Sequence, residues 1–172
     1  MNLKLLFLAG TQLVLALLLA ILVTFLSYRI LRAFMVKKYN ITEDNFAFAL
    51  LCSSILFSVG YIISGTLQPA INVVRILSKE ITKNSDLFFE SIKYISLFVL
   101  LGFFVSFVVI MLGMYLFTLL TKNIDEFKEI GKDNKAVGLL VGVIIIVIAL
   151  FVKDSTVLLL EAFIPYPKLY IP

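Results

Sequence analysis

The sequence predicts an all-α integral membrane protein: a four-helix bundle built as two parallel tandem repeats of a transmembrane helix pair, with short interfacial amphipathic helices. Three observations predict it. Hydrophobic residues make up 62% of the 172 residues and charged residues 15%, far from the roughly half apolar, quarter charged mix of soluble domains. Apolar runs of the length that crosses a bilayer core, about 20 residues, follow one another with short polar connections. One stretch also occurs twice: residues 41–53 (I-T-E-D-N-F-A-F-A-L-L-C-S) and 130–142 (I-G-K-D-N-K-A-V-G-L-L-V-G) align without a gap at an offset of 89, which is 134 minus 45. Ile41, Asp44, Asn45, Ala47, Leu50 and Leu51 then meet Ile130, Asp133, Asn134, Ala136, Leu139 and Leu140. Self-similarity of this kind marks a duplicated structural unit.

The first span covers residues 5–26, too long for a cleaved secretory signal, whose apolar core is about 7 to 15 residues. Arg29, Arg32, Lys37 and Lys38, interleaved with Phe34, Met35, Val36 and Tyr39, predict a segment at the lipid headgroups. The second helix starts at the first copy of the repeat, capped by Thr42 or Asp44 with Asn45 in its first turn. It continues through Ile63 towards Val74, and Pro69 bends or ends it. Between Asn72 and Tyr94 the chain turns polar, while Ile71, Val74, Leu77 and Ile81 recur at helical spacing. That pattern predicts an amphipathic helix at the interface, or else the protruding end of the second span.

Residues 95–120 carry no charge and form the third span. Residues 121–135 predict a second interfacial helix, with Ile124, Phe127 and Ile130 on one face. The fourth span starts at the second copy and covers residues 136–152; Lys153, Asp154 and an apolar patch at 157–164, broken by Glu161, follow it. The whole chain, 1–172, is one transmembrane domain: repeat one at about 5–77, an interfacial linker at about 78–92, repeat two at about 93–164 and a surface tail at 165–172.

The two loops that precede the repeated stretch carry eight Lys and Arg residues, and the opposite side carries seven. That small excess places both termini outside the cytoplasm. The net charge of +4 comes from basic residues at the ends of apolar runs, a pattern that fits anionic lipid and excludes nucleic acid as a partner. The chain has no His and a single Cys, Cys52, which removes the usual ligands of zinc and haem and the usual proton shuttle near neutral pH. With no phosphate-binding glycine loop and no nucleophile-base spacing, the chain is expected to be no enzyme and to hold no cofactor and no metal.

Three groups of residues are candidates for function. Positions four apart share a helix face, so Asn45 heads Ala49 and Ser53, and Asn134 heads Gly138 and Gly142. These small-residue strips predict that the second and fourth helices cross each other, or copies in a neighbouring subunit, along them. Thr11, Gln12, Ser54 and Ser58 are expected to add interhelical hydrogen bonds. Asp44, Asn45, Asp133 and Asn134 either line a vestibule that attracts cations or polyamines, or cap helices and oppose the helix dipole. Lys153 and Asp154 are expected to pair at the membrane boundary.

Two helix pairs, each second helix opening on an Asn-x-Ala step, together with Gly60-Tyr61-Ile62-Ile63-Ser64-Gly65 leading to Ala70-Ile71-Asn72-Val73, resemble the bacterial inner-membrane proteins of domain-of-unknown-function family 350. The resemblance covers about residues 10–164. It implies a multi-pass protein of the bacterial inner membrane with an unassigned activity, associated with envelope-stress and polyamine-related gene neighbourhoods. Two expectations follow. The chain is a homo-oligomeric channel or transporter subunit for cations or polyamines, or a non-transporting accessory protein that docks a cytoplasmic protein or anionic lipid through its basic loops.

Overall fold

A computed structural model describes the backbone over residues 3–39, 44–121 and 125–165, and the side chains over those ranges except 3–9, 11, 12, 15, 34–39 and 84. The expected cap Thr42, the side chains of Thr11 and Gln12, Ile124 and most of the tail therefore lie outside the described residues. The described chain is helical throughout, in the order α1 (Leu3–Tyr39), α2 (Phe46–Ser64), α3 (Leu67–Glu80), α4 (Asn84–Leu120), α5 (Glu126–Gly131) and α6 (Lys135–Glu161). Four segments are long and apolar enough to cross a membrane: Ala16–Ala33, Phe46–Glu80, Ser85–Leu120 and Lys135–Glu161. The protein is thus a multi-pass membrane protein.

Helices extend well past the apolar runs. α1 and α4 have 37 residues each, about 55 Å at the α-helical rise against a hydrocarbon core of about 30 Å. The basic segment expected at the headgroups is the continuation of α1, and residues 84–94 open α4 and are no part of a separate amphipathic helix. α6 likewise runs through Lys153 and Asp154 to Glu161, so those two residues lie inside the helix. The cause is common to all three: no Gly or Pro interrupts 27–39, 84–94 or 151–161, and nothing else stops a helix merely because its residues become polar.

Where the chain does stop, the reason is local. α2 ends at Ser64, and Gly65 and Thr66 turn the chain into α3. The Thr66 hydroxyl donates to the Ile63 carbonyl at 2.8 Å. Pro69 sits in the first turn of α3, where its missing N–H has no intrahelical acceptor to lose. α3 buries Pro69, Ala70, Val73 and Leu77; Ile71 and Val74 of the expected stripe are half-buried. The stripe is displaced because packing on α4 and the end of α6, where Phe98, Leu160 and Ile164 complete a small core, sets the buried face.

The most extensive helix pairing is α2 with α6, followed by α4 with α6. α2 and α6 run in the same direction: Asn45 bonds the Ile130 carbonyl at one end, and Gly65 packs on Val157 at the other. Ala47, Leu51, Ile55 and Ile62 of α2, Val109 of α4, and Val141, Ile145 and Ala149 of α6 form the centre of the main core. α1 is the outlier, with only Val23 and Ser27 buried among its described side chains.

Candidate functional site

The two Asp-Asn steps meet at one end of the bundle. Asn45 is the N-cap of α2, with extended backbone, and its side-chain oxygen accepts from the Phe48 N–H at 2.7 Å. Its amide nitrogen donates to the Ile130 carbonyl at 2.6 Å, so one buried side chain satisfies an open donor of α2 and adds a second hydrogen bond to a carbonyl at the end of α5. Asn134 caps α6 in the same way, accepting from the Val137 N–H at the longer distance of 3.4 Å. Its amide donates to Glu129 Oε2 at 2.9 Å.

Asp133 does something the sequence pattern does not announce. It has φ of 59°, the left-handed conformation that Asp tolerates better than most side chains. Its N–H bonds the Ile130 carbonyl at 2.9 Å and the following Asn134 N–H bonds the Glu129 carbonyl at 3.0 Å, the Schellman pattern that closes a helix C-terminus. Held in that turn, its carboxylate reaches across to α2 and accepts from the Ala47 N–H at 2.7 Å. Two parallel helices that begin side by side bring two positive dipole ends together, and a carboxylate there lowers the cost. Asp44 is exposed.

α5 supports the junction. Asp125 caps it, accepting from the Lys128 N–H at 3.1 Å and pairing with Lys128 Nζ at 3.2 Å. That backbone hydrogen bond, with the Lys128 ammonium, holds the Asp125 carboxyl below its ordinary pKa. Lys132 Nζ meets Glu129 Oε1 at 2.7 Å. This contact, then Asn134, lowers the Glu129 pKa, and the same contact raises that of Lys132. Glu126 is buried and accepts from the Thr118 hydroxyl of α4. The apolar face of this segment does not reveal the roles of Asp125, Glu126 and Glu129, although an Asp followed by acidic residues in the first turn is a recognisable helix start.

The small-residue strips behave differently on the two helices. Gly138 and Gly142 of α6 are buried against α2: a Cβ on Gly138 would lie 2.5 Å from the Ala47 carbonyl oxygen, and one on Gly142 would fall 2.8 Å from Ser54 Cβ. Ala49 and Ser53, the matching strip of α2, are exposed. α2 instead meets α6 through Ala47, Leu50 and Ser54, so within the chain the α6 strip packs on α2 as expected and the α2 strip does not meet it. The expected interhelical bonds of Ser54 and Ser58 are corrected as well. Their hydroxyls donate back to the Leu50 and Ser54 carbonyls of their own helix, at 3.0 and 2.8 Å, a bond always within reach of a helical Ser.

Lys153 and Asp154 do not pair; among the described residues no ion pair joins them. Adjacent residues on a helix point about 100° apart. Lys153 turns to α2, with its ammonium 4.2 Å from the centre of the Tyr61 ring, while Asp154 is exposed. Lys135 makes the counterpart contact at the other end, 5.2 Å from the centre of the Phe46 ring. No group of His, Cys, Asp and Glu among the described residues has the arrangement to hold a metal ion. A small cavity of about 110 Å³ between α1 and α2, lined by Ala16, Ala20, Val23, Gly60 and Ser64 among others, falls well below the roughly 300 Å³ at which ligand pockets begin.

The family model described as Domain of Unknown Function (DUF350) matches residues 3–156. The chain belongs to this family. No curated protein and no solved structure matches it. The DUF350 match takes in the first three spans, the whole Asp-Asn junction and most of the fourth span, and stops just beyond Lys153 and Asp154. Within this DUF350 chain, Asn45 and Asp133 bond backbone groups across the junction, while Asn134 bonds the Glu129 side chain and Asp44 is exposed.

Proposed function

We propose that this DUF350 protein is a non-conducting, non-catalytic membrane subunit of the bacterial inner membrane. It is built by duplication of a helix pair, with α3 and α5 lying at the two membrane surfaces and both termini outside the cytoplasm. It works as a homo-oligomer and offers the basic end of α1, where Arg29 and Arg32 are exposed, to anionic lipid or a cytoplasmic protein. The observation that supports this reading is the use made of Asn45, which is buried with both ends of its amide spent on backbone groups of the helix junction; one carboxylate oxygen of the exposed Asp133 is held there as well. The vestibule reading needs the Asn45 amide open to a solute.

A second reading, a channel or transporter subunit for cations or polyamines, is favoured by one observation. Lys153 is an ionisable residue within the apolar segment Lys135–Glu161, and such residues commonly mark a solute path. Reconstitution into liposomes with cation and polyamine flux assays decides between them. Flux no greater than in protein-free liposomes, from protein whose oligomer is verified by mass, is the expected result. Flux that Lys153→Met abolishes would replace the first reading by the second.

A further inference from the structure

We infer that two copies of the chain join by repeating, between chains, the contact that α6 makes with α2 within one chain. The inference rests on the duplicated, homo-oligomeric reading above and adds the surface. Inside the chain the contact is head-to-tail: α6 offers Gly138, Gly142 and Lys153, and α2 offers Ala47, Leu50, Ser54, Tyr61 and Gly65. Moved by 89 positions, the α6 face becomes Ala49, Ser53 and Ser64 of α2, and the α2 face becomes Ala136, Leu139, Val143, Leu150 and Asp154 of α6. Every one of those eight residues is exposed. Each helix therefore keeps uncovered the very face that its counterpart uses.

A head-to-tail contact with both halves free is open at each end and propagates until it closes. At about 100° per residue, the two faces on each helix lie roughly 90° apart, the corner of a square. Four helices close such a ring: α2 and α6 of one chain and α2 and α6 of a second, related by a two-fold axis along the membrane normal.

The chemistry of the free faces favours a second copy over lipid. Ala49 and Ser53 leave room for a helix backbone, and in a bilayer close packing drives association. Asp154 is a charge exposed on the flank of an apolar segment, where acyl chains disfavour it. In the ring it comes to the end of the neighbouring α2, beside Ser64 and Gln68 of that copy, both exposed; the Ser64 hydroxyl donates to Tyr61 of its own helix, while the Gln68 amide, with one N–H on Asn72, has a second to give.

Cysteine pairs in a lipid nanodisc test the surface. Cys52, buried in α2, is replaced by Ala, and two differently tagged chains are co-expressed, one with Ala49→Cys and the other with Ala136→Cys, or one with Ser53→Cys and the other with Val143→Cys. These residues are exposed, so the substitutions leave the fold intact. Mild oxidation is expected to give interchain disulfides about tenfold above an Ala49→Cys and Phe151→Cys control, because only the first pairs come within the roughly 5 to 7 Å that a disulfide spans. Phe151 is 80% exposed on another face of α6. A doubled particle mass with cross-linking no better than the control would overturn this surface and leave the oligomer standing. A single-chain mass in lipid without cross-linking would overturn both.

Discussion

The carboxylate of Asp133, in the turn before α6, accepts a hydrogen bond of 2.7 Å from the backbone N–H of Ala47 in the first turn of α2. The bond spans 86 positions of sequence and fastens the starts of two parallel helices whose dipoles oppose that approach.

Substitutions at Asp133 separate its two duties. Asp133→Asn keeps an acceptor and a side chain that tolerates positive φ, and is expected to melt within a few degrees of the parent. Asp133→Ala loses the acceptor, worth about 1 kcal/mol as a cap, and loses the local hydrogen bonding by which an Asp side chain eases a left-handed backbone. Asp133→Gly loses the same acceptor but frees the left-handed turn of a β-carbon, and falls between them. Thermal unfolding in detergent reads the order, and an Ala variant as stable as the Asn variant would refute the bond's importance.

The two glycines of α6 differ from Gly60 in what surrounds them. Gly138→Val drives side-chain atoms into the Ala47 backbone and is expected to destabilise the protein by about 1 to 3 kcal/mol. At Gly60 nothing lies within 4 Å of an added Cβ, so Gly60→Ala is expected to stabilise α2 by roughly 0.5 to 1 kcal/mol through backbone entropy. Unfolding midpoints of the two variants should move in opposite directions.

The Glu129 and Lys132 pair makes the junction sensitive to pH at both extremes. Glu129 has its pKa lowered in the folded chain. Its contribution is thus complete above the unfolded value of about 4.3 and is lost as pH falls through the lower folded one. Lys132 has its pKa raised, so its share is complete below about 10.4 and is lost as pH rises through the higher folded value. Both groups are exposed enough for solvent to weaken the effect. Glu129→Gln should flatten the melting temperature at both ends of a pH series relative to the parent; parallel curves would remove the pair from the account.

Lys153 and Tyr61 test whether the buried end of α6 is fixed by a cation over a ring. Lys153→Met, Tyr61→Leu and the double variant form a cycle whose coupling is expected near 0.5 to 1 kcal/mol. Unfolding of the four proteins in detergent measures it. A coupling of zero would mean that the 4.2 Å approach contributes nothing to stability.

Much of this architecture was legible because a bilayer imposes simple rules. Runs of about 20 apolar residues must be helices, and that reading located four spans. The two Asp-Asn stretches located the starts of α2 and α6, where Asn45, rather than Thr42 or Asp44, is the cap of α2, and Pro69 signalled an interruption that falls earlier, at Gly65 and Thr66, because Pro is accommodated in the first turn of the next helix. The ends of α1, α4 and α6 lie beyond the apolar runs, because falling hydropathy alone does not end a helix. Polar residues such as Arg32, Lys93 and Lys153 continue one when neither Gly nor Pro intervenes.

What the sequence by itself determined is the set of helices and which residues of the two Asp-Asn stretches correspond. Which faces those helices turn on each other was left to the tertiary structure: Gly138 and Gly142 against Ala47 and Ser54, with Ala49 and Ser53 outside. In water an apolar stripe names its buried side. In a membrane the outward side is apolar too, so only the fit of particular atoms, here two missing β-carbons and one carboxylate, selects among faces that composition makes alike.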